Sequence, residues 1–165
     1  MMRYLLAMAL LLAAQCAAAA DAAQPLLRGS YARLVQAHSG KPFVVALWSV
    51  SCTHCGKDLE IFSRLLRQYP QFELILISTD APEQSDEIAG ILAGYRLPIA
   101  ITAGGGKAES WVFADGYTER LRHEVDAQWY GELPRTYFYD ATGKARGVSG
   151  VLDEQETGAW VQRAH

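Results

Sequence analysis

The sequence predicts one α/β domain built on a largely parallel sheet, and three observations carry that expectation. The chain has 165 residues, half of them apolar and a fifth charged, which suits a single globular core. Short apolar runs alternate with stretches of helical spacing in the order β-α-β-α-β, the pattern of right-handed crossovers that return each strand beside the last. The chain then closes on a hairpin pattern and one more helix.

Residues 1–20 carry one charge, Arg3, then an apolar run rich in leucine, then Ala17 to Ala20. That is the make-up of a secretory signal peptide, with small residues ahead of a cleavage point before Asp21. Two other readings stay open: an uncleaved membrane anchor, because a spanning helix needs about 20 apolar residues, and lipidation at Cys16. Residues 21–40 read as an N-terminal extension with a short helix over 31–37, stopped by Ser39-Gly40 and Pro42, and 41–165 as the main domain.

Residues 43–48 form a continuous apolar run, as in a strand covered on both faces. Leu59, Phe62, Leu66 and Tyr69 follow at helical spacing up to Pro70, an amphipathic helix beginning at Cys55. Residues 74–77 read as a second buried strand, Ile88, Ile91, Leu92 and Tyr95 as a second helix, and residues 99–102 after Pro98 as a third strand. Residues 107–129, after Gly104-Gly105-Gly106, read as one or two short helices around Leu121 and Val125. Thr136 to Tyr139 is an aromatic strand, Asp140-Ala141-Thr142-Gly143 a tight turn, and residues 144–151 its antiparallel return. Asp153 with Glu156 resembles a capping box opening a helix that contains Trp160 and Val161.

The net charge of −3 and the absence of any run of like charge exclude an evident nucleic-acid binder. The three cysteines are too few for a disulfide framework. If residues 1–20 are removed, Cys52 and Cys55 remain, and in an oxidising compartment such a pair points to chemistry.

Cys52-Thr53-His54-Cys55 falls where a strand ends and a helix begins. Cys52 is expected at the helix N-terminus, where free backbone N–H groups favour the thiolate, and thus serves as nucleophile. Cys55, one turn on, can resolve a mixed disulfide. His54 is a candidate for adding positive charge beside Cys52, or else a solvent-facing turn residue. A zinc site would need two further ligands, and His38, His123 and His165 offer no second metal-binding pattern; no metal and no cofactor are expected.

Residues 48–55, Trp48-Ser49-Val50-Ser51-Cys52-Thr53-His54-Cys55, together with residues 131–140 from Gly131-Glu132-Leu133-Pro134 to Asp140, and then Gly143-Lys144, resemble the TlpA-like thiol-disulfide oxidoreductases, periplasmic redoxins of thioredoxin fold. The resemblance spans about residues 41–161. It implies a central mixed sheet flanked by helices, with an insertion before the cis-proline strand. It further implies that Pro134 is that cis-proline, that the Leu133 backbone can pair with a substrate strand beside Thr53 and the Trp48-lined disulfide, and that Asp58 assists proton transfer.

Three departures from the family pattern stand out. Ala46 replaces a buried aspartate of thioredoxins proper, so a proton shuttle must come from Asp58 or water; Ser51 replaces an aromatic residue and Glu60 a helix-kinking proline. The resemblance implies an exported protein whose partners are protein thiols and disulfides and a membrane electron donor, acting as a reductant in the manner of cytochrome c maturation. Two rival readings are a copper(I)-handling protein using Cys52, Cys55 and His123, and a non-catalytic peptide-binding scaffold.

Overall fold

The structure, a computed structural model, describes residues 23–97, 99 and 108–164. The signal-peptide, anchor and lipidation readings of the first 20 residues lie outside the described residues. No helix among those described is long and apolar enough to cross a membrane.

The elements run β1 (Gln24–Leu26), α1 (Ser30–Ala37), β2 (Phe43–Trp48), α2 (Cys55–Gln68), β3 (Leu74–Ser78), a 3₁₀ turn (Pro82–Gln84), α3 (Ser85–Gly94), β4 (Ala108–Phe113), α4 (Thr118–Val125), β5 (Arg135–Tyr139), β6 (Ala145–Ser149) and α5 (Glu154–Ala164). One mixed sheet orders the strands β1-β4-β3-β2-β5-β6. The contacts among β1, β4, β3 and β2 are parallel, whereas β5 pairs antiparallel with both β2 and β6.

Side chains alternate across β2. Val44, Ala46 and Trp48 join Leu59, Phe62 and Leu66 of α2, Ile88 and Leu92 of α3 and Val161 of α5 in one apolar layer. Phe43, Val45 and Leu47 join Tyr31 and Leu34 of α1 and Leu121 and Val125 of α4 in the layer on the opposite face. The amphipathic α2 is therefore held by its Leu59-Phe62-Leu66 stripe, each residue of which contributes roughly 1.5–3 kcal/mol on burial. Tyr69 closes the helix through its N–H to the Leu65 carbonyl, 2.8 Å, and Pro70 stops it. In the loop before α5 the Asp153 carboxylate accepts the Glu156 N–H at 2.9 Å, the expected cap.

Two elements differ from the sequence reading. The strand that follows β3 in the sheet is β4, at the start of the 107–129 stretch read as helical; of the strand expected at residues 99–102 only Ile99 is described, where it bridges Ala108, and residues 100–107 lie outside the described residues. β4 carries Glu109 and Ser110 on buried positions, which disguises it in a search for apolar runs. Glu109 is tolerated because its Oε1 lies 3.1 Å from His38 Nε2 and its Oε2 accepts the Trp111 indole N–H at 3.0 Å. His38 Nδ1 in turn lies 2.7 Å from Glu73, which also holds Lys41. The bonds to Glu109 and Glu73 raise the His38 pKa above its usual 6.5, against the opposing effect of burial. The second difference is β1, a three-residue edge strand whose Pro25 hides it and which pairs with β4.

Candidate active site at the carboxyl end of the parallel strands

The chain leaves β2 at Trp48, β3 at Ser78 and β4 at Phe113 on one end of the sheet, the end at which open α/β sheets place their sites. The Thr79 N–H bonds the Trp48 carbonyl at 3.0 Å, so the two exits are tied together. Asp80 ties them further: its Oδ1 accepts the Ser49 hydroxyl at 2.7 Å, and its Oδ2 accepts the Val50 N–H at 2.8 Å and the Ser78 hydroxyl at 2.5 Å. Ser49 Oγ also accepts the Ser51 N–H at 3.2 Å. The segment ahead of Cys52 is thus held by side chains of a neighbouring strand's exit.

Cys52 and Cys55 form a disulfide, S–S 2.02 Å, with their Cα atoms 5.5 Å apart. α2 opens at Cys55, so Cys52 stands in the turn leading into the helix rather than on its first residue, and its carbonyl accepts the Cys55 N–H at 3.3 Å. The two sulfur-bearing residues differ in access: Cys52 is half-buried, Cys55 only 2% exposed. Thr53 and His54 are exposed at the tip of the turn, where solvent screens the charge His54 carries when protonated.

Asp58 lies one turn further along α2 and is 3% exposed. On a helix, positions three apart have Cβ atoms about 5–6 Å from one another, so its carboxyl lies on the face that carries Cys55. Its Oδ1 accepts the Leu152 N–H at 2.9 Å, while Oδ2 is buried without a partner. Burial pushes the carboxyl up to about 6, opposed by the Leu152 bond.

The Leu133–Pro134 bond is cis. The β2–β5 register, with Leu47 opposite Arg135, continues to set Pro134 beside Trp48, and the Gly150 N–H fixes the Pro134 carbonyl at 2.9 Å. Among the described residues the Leu133 N–H and C=O have no hydrogen-bond partner. Trp48 is buried and packs in the same layer as Cys52, Cys55 and Leu133. The Trp129 indole N–H bonds the Glu132 carbonyl at 2.9 Å and shapes the loop before Leu133.

Beside the disulfide lies a cavity of about 440 Å³ lined by Trp48, Val50, Leu59, Ile91 and Tyr95 together with Cys52, Cys55 and Gly56. Gly56 leaves room for Tyr95: a Cβ would come 2.4 Å from the Tyr95 hydroxyl, so the ring would have to shift. The sequence reading missed Gly56 and Asp80, and it placed Ile91 and Tyr95 on a helix without assigning them to the site. Their only signal was the helical spacing of α3. His123 is exposed on α4, which packs on the face of the sheet opposite α2, so it does not join the cysteines. No group of three or more His, Cys, Asp or Glu among the described residues is placed to hold a metal.

A disulfide where a strand turns into a helix, facing a cis-proline loop on a mixed sheet, defines a protein of thioredoxin fold. Solved structures agree. A secreted Mycobacterium tuberculosis disulfide oxidoreductase, described as homologous to E. coli DsbE, matches with a TM-score of 0.58 and 20% identity over 78% of this chain and 85% of that one. M. tuberculosis DsbF gives 0.57 and 16% over 79% and 85%. A thiol:disulfide interchange protein of the thioredoxin family from Chlorobium tepidum gives 0.55 and 17% over 81% and 83%. At these identities the likeness is one of fold. No protein-family model and no curated protein matches the chain.

Proposed function

We propose that this chain is an exported thiol-disulfide oxidoreductase that reduces protein disulfides through Cys52 and Cys55. The reading rests on one observation above the others: the outer sulfur is reachable, the inner one is buried, and a buried carboxyl with its pKa raised to about 6 lies one turn below the inner one. The similarity to secreted and disulfide-exchanging proteins supports it, as does the composition of residues 1–20.

In the reduced protein the Cys52 thiolate attacks one sulfur of a partner disulfide. A Cys52–partner bond forms and the partner's other sulfur leaves as thiolate. The Asp58 carboxylate takes the Cys55 proton, a suitable acceptor near neutral pH. The Cys55 thiolate then attacks Cys52 Sγ, the mixed disulfide breaks, and the partner departs as a dithiol once its thiolates are protonated, the Asp58 proton being one source. Two electrons have passed to the partner and Cys52–Cys55 is oxidised. Leu133 pairs its free backbone with the partner strand, and Thr53 and Trp48 flank the reacting sulfurs. A membrane thiol donor restores the dithiol, and the resemblance to TlpA-like proteins points to cytochrome c maturation as the destination of the electrons.

Insulin reduction by the protein lacking residues 1–20, beside Cys52→Ser, tests the activity; equal rates refute it. Cys55→Ala expressed in cells is expected to trap partners on Cys52, and their identity tests the pathway.

A further inference from the structure

The groove beside the disulfide does not end at Tyr95. Gly94 and Tyr95 are shared with a second cavity of about 340 Å³, whose walls carry Arg64 and Arg67 of α2 and Arg96 just after α3. The Ser63 hydroxyl bonds the Tyr95 carbonyl at 2.6 Å and fixes the two helices around this cleft. Arg64 is matched by Glu154 at 2.7 Å and by Glu60, itself on the cleft wall, at 4.0 Å. Arg67 donates only to Ser63 Oγ, at 2.6 Å, and the Arg96 guanidinium has no partner among the described residues. In a chain of net charge −3, two uncompensated cations thus share one cleft with the end of the disulfide groove.

A second observation concerns the backbone of Arg96. The Leu97 N–H bonds the Leu92 carbonyl and the Arg96 N–H bonds the Ala93 carbonyl, at 3.2 and 2.9 Å, a Schellman ending that puts Arg96 in the left-handed position usually given to glycine. Its φ is +56°, and no other non-glycine residue among those described has a positive φ. Arginine here gains nothing locally, and such a departure from local preference is typical of functional positions.

We infer that the partner segment is acidic: the apolar groove takes the residues next to its cysteine, and Arg67 and Arg96 take carboxylates farther along. The inference rests on the disulfide-exchange reading. Arg67 stands twelve residues after Cys55 on α2, roughly 18 Å at 1.5 Å per residue. An extended segment covers that in about five residues at 3.3 Å each. The acids therefore sit about four to six positions from the reacting cysteine. Guanidinium–carboxylate pairing of this kind raises the association rate and fades with salt.

The test uses the reduced full chain and two synthetic disulfide-linked peptides, one with three aspartates four to six positions from its cysteine, the other with asparagines there. Exchange is followed by tryptophan fluorescence. The acidic peptide is expected to react about ten-fold faster at low ionic strength. That preference should fall below about three-fold in roughly 0.5 M salt, and equally in the double variant Arg67→Gln/Arg96→Gly, in which glycine accepts the positive φ. A wild-type ratio near one, or a ratio that survives salt or the double variant, overturns the inference. Hydroxyethyl disulfide, uncharged and too small to reach the cleft, separates the two claims. If wild type reduces it and Cys52→Ser does not, a missing acidic preference refutes this inference alone. If neither reduces it, the exchange reading fails and this inference with it.

Discussion

Asp58→Asn separates two consequences of burying a carboxyl. Wild-type Asp58 has a pKa of about 6 against an ordinary 3.8, so the folded protein binds a proton more tightly than the unfolded chain. Between those values the native state holds more protons, and stability must fall as pH rises through the window, then level off above it. At about 1.36 kcal/mol per pH unit the full gap is worth roughly 3 kcal/mol, of which about 2 to 3 kcal/mol falls between about pH 4 and pH 8. Asparagine keeps the acceptor for the Leu152 N–H and cannot ionise. Any constant cost of the buried amide cancels in the slope, which is the diagnostic: variant stability minus wild-type stability should grow by about 2 to 3 kcal/mol from pH 4 to pH 8. Urea titration of the oxidised proteins measures it. Above about pH 6, where wild-type Asp58 is ionised, the variant should resolve a mixed disulfide roughly ten- to a hundred-fold more slowly, as expected on losing a general base, and this gap should close toward pH 4. A stability difference that does not change with pH refutes the burial argument; unchanged resolution kinetics refute the proton-acceptor role.

Other expectations follow from single contacts. Glu109→Gln weakens the bond to His38 and should cost about 3 kcal/mol near pH 6, because it leaves a buried charge half-paired. Since the His38 pKa is raised above 6.5, that stabilisation is fully present below pH 6.5 and disappears as pH rises through the folded-state value, so the deficit should shrink in alkaline urea titrations. Gly56→Ala drives a methyl group toward the Tyr95 hydroxyl, and the ring can swing aside into the groove; about 1 kcal/mol of lost stability should accompany a larger drop in exchange with peptide disulfides than with hydroxyethyl disulfide. Arg96→Gly should raise stability by about 1 kcal/mol, read as a higher urea midpoint at unchanged slope, because glycine adopts a left-handed backbone without the side-chain clash.

Much of the architecture was legible because its residues advertise their surroundings. β2 is apolar throughout since both of its faces are covered, α2 shows its stripe since only one face is, and the β5–β6 turn is written in Asp140 and Gly143. β4 escaped because Glu109 and Ser110 interrupt its apolar run: Trp111, two residues on, bonds Glu109 within the strand, but the other partner, His38, lies seventy-one residues away, where linear reading does not see it. Within the site, the cysteine pair and Pro134 were visible as motifs. The partner of the buried Asp58 carboxylate, the Leu152 N–H, lies ninety-four residues away. Tyr95 over Gly56, and Asp80 beneath Ser49 and Val50, are likewise contacts between segments with no local signature.

That last arrangement has a bearing on the working cycle. The stretch carrying Cys52 takes its shape from a carboxylate anchored at the neighbouring strand's exit, through contacts that involve neither sulfur. On the exchange reading, opening the bridge is expected to change reactivity while leaving this mooring in place, so that a client released after exchange leaves behind the outline that the next one meets.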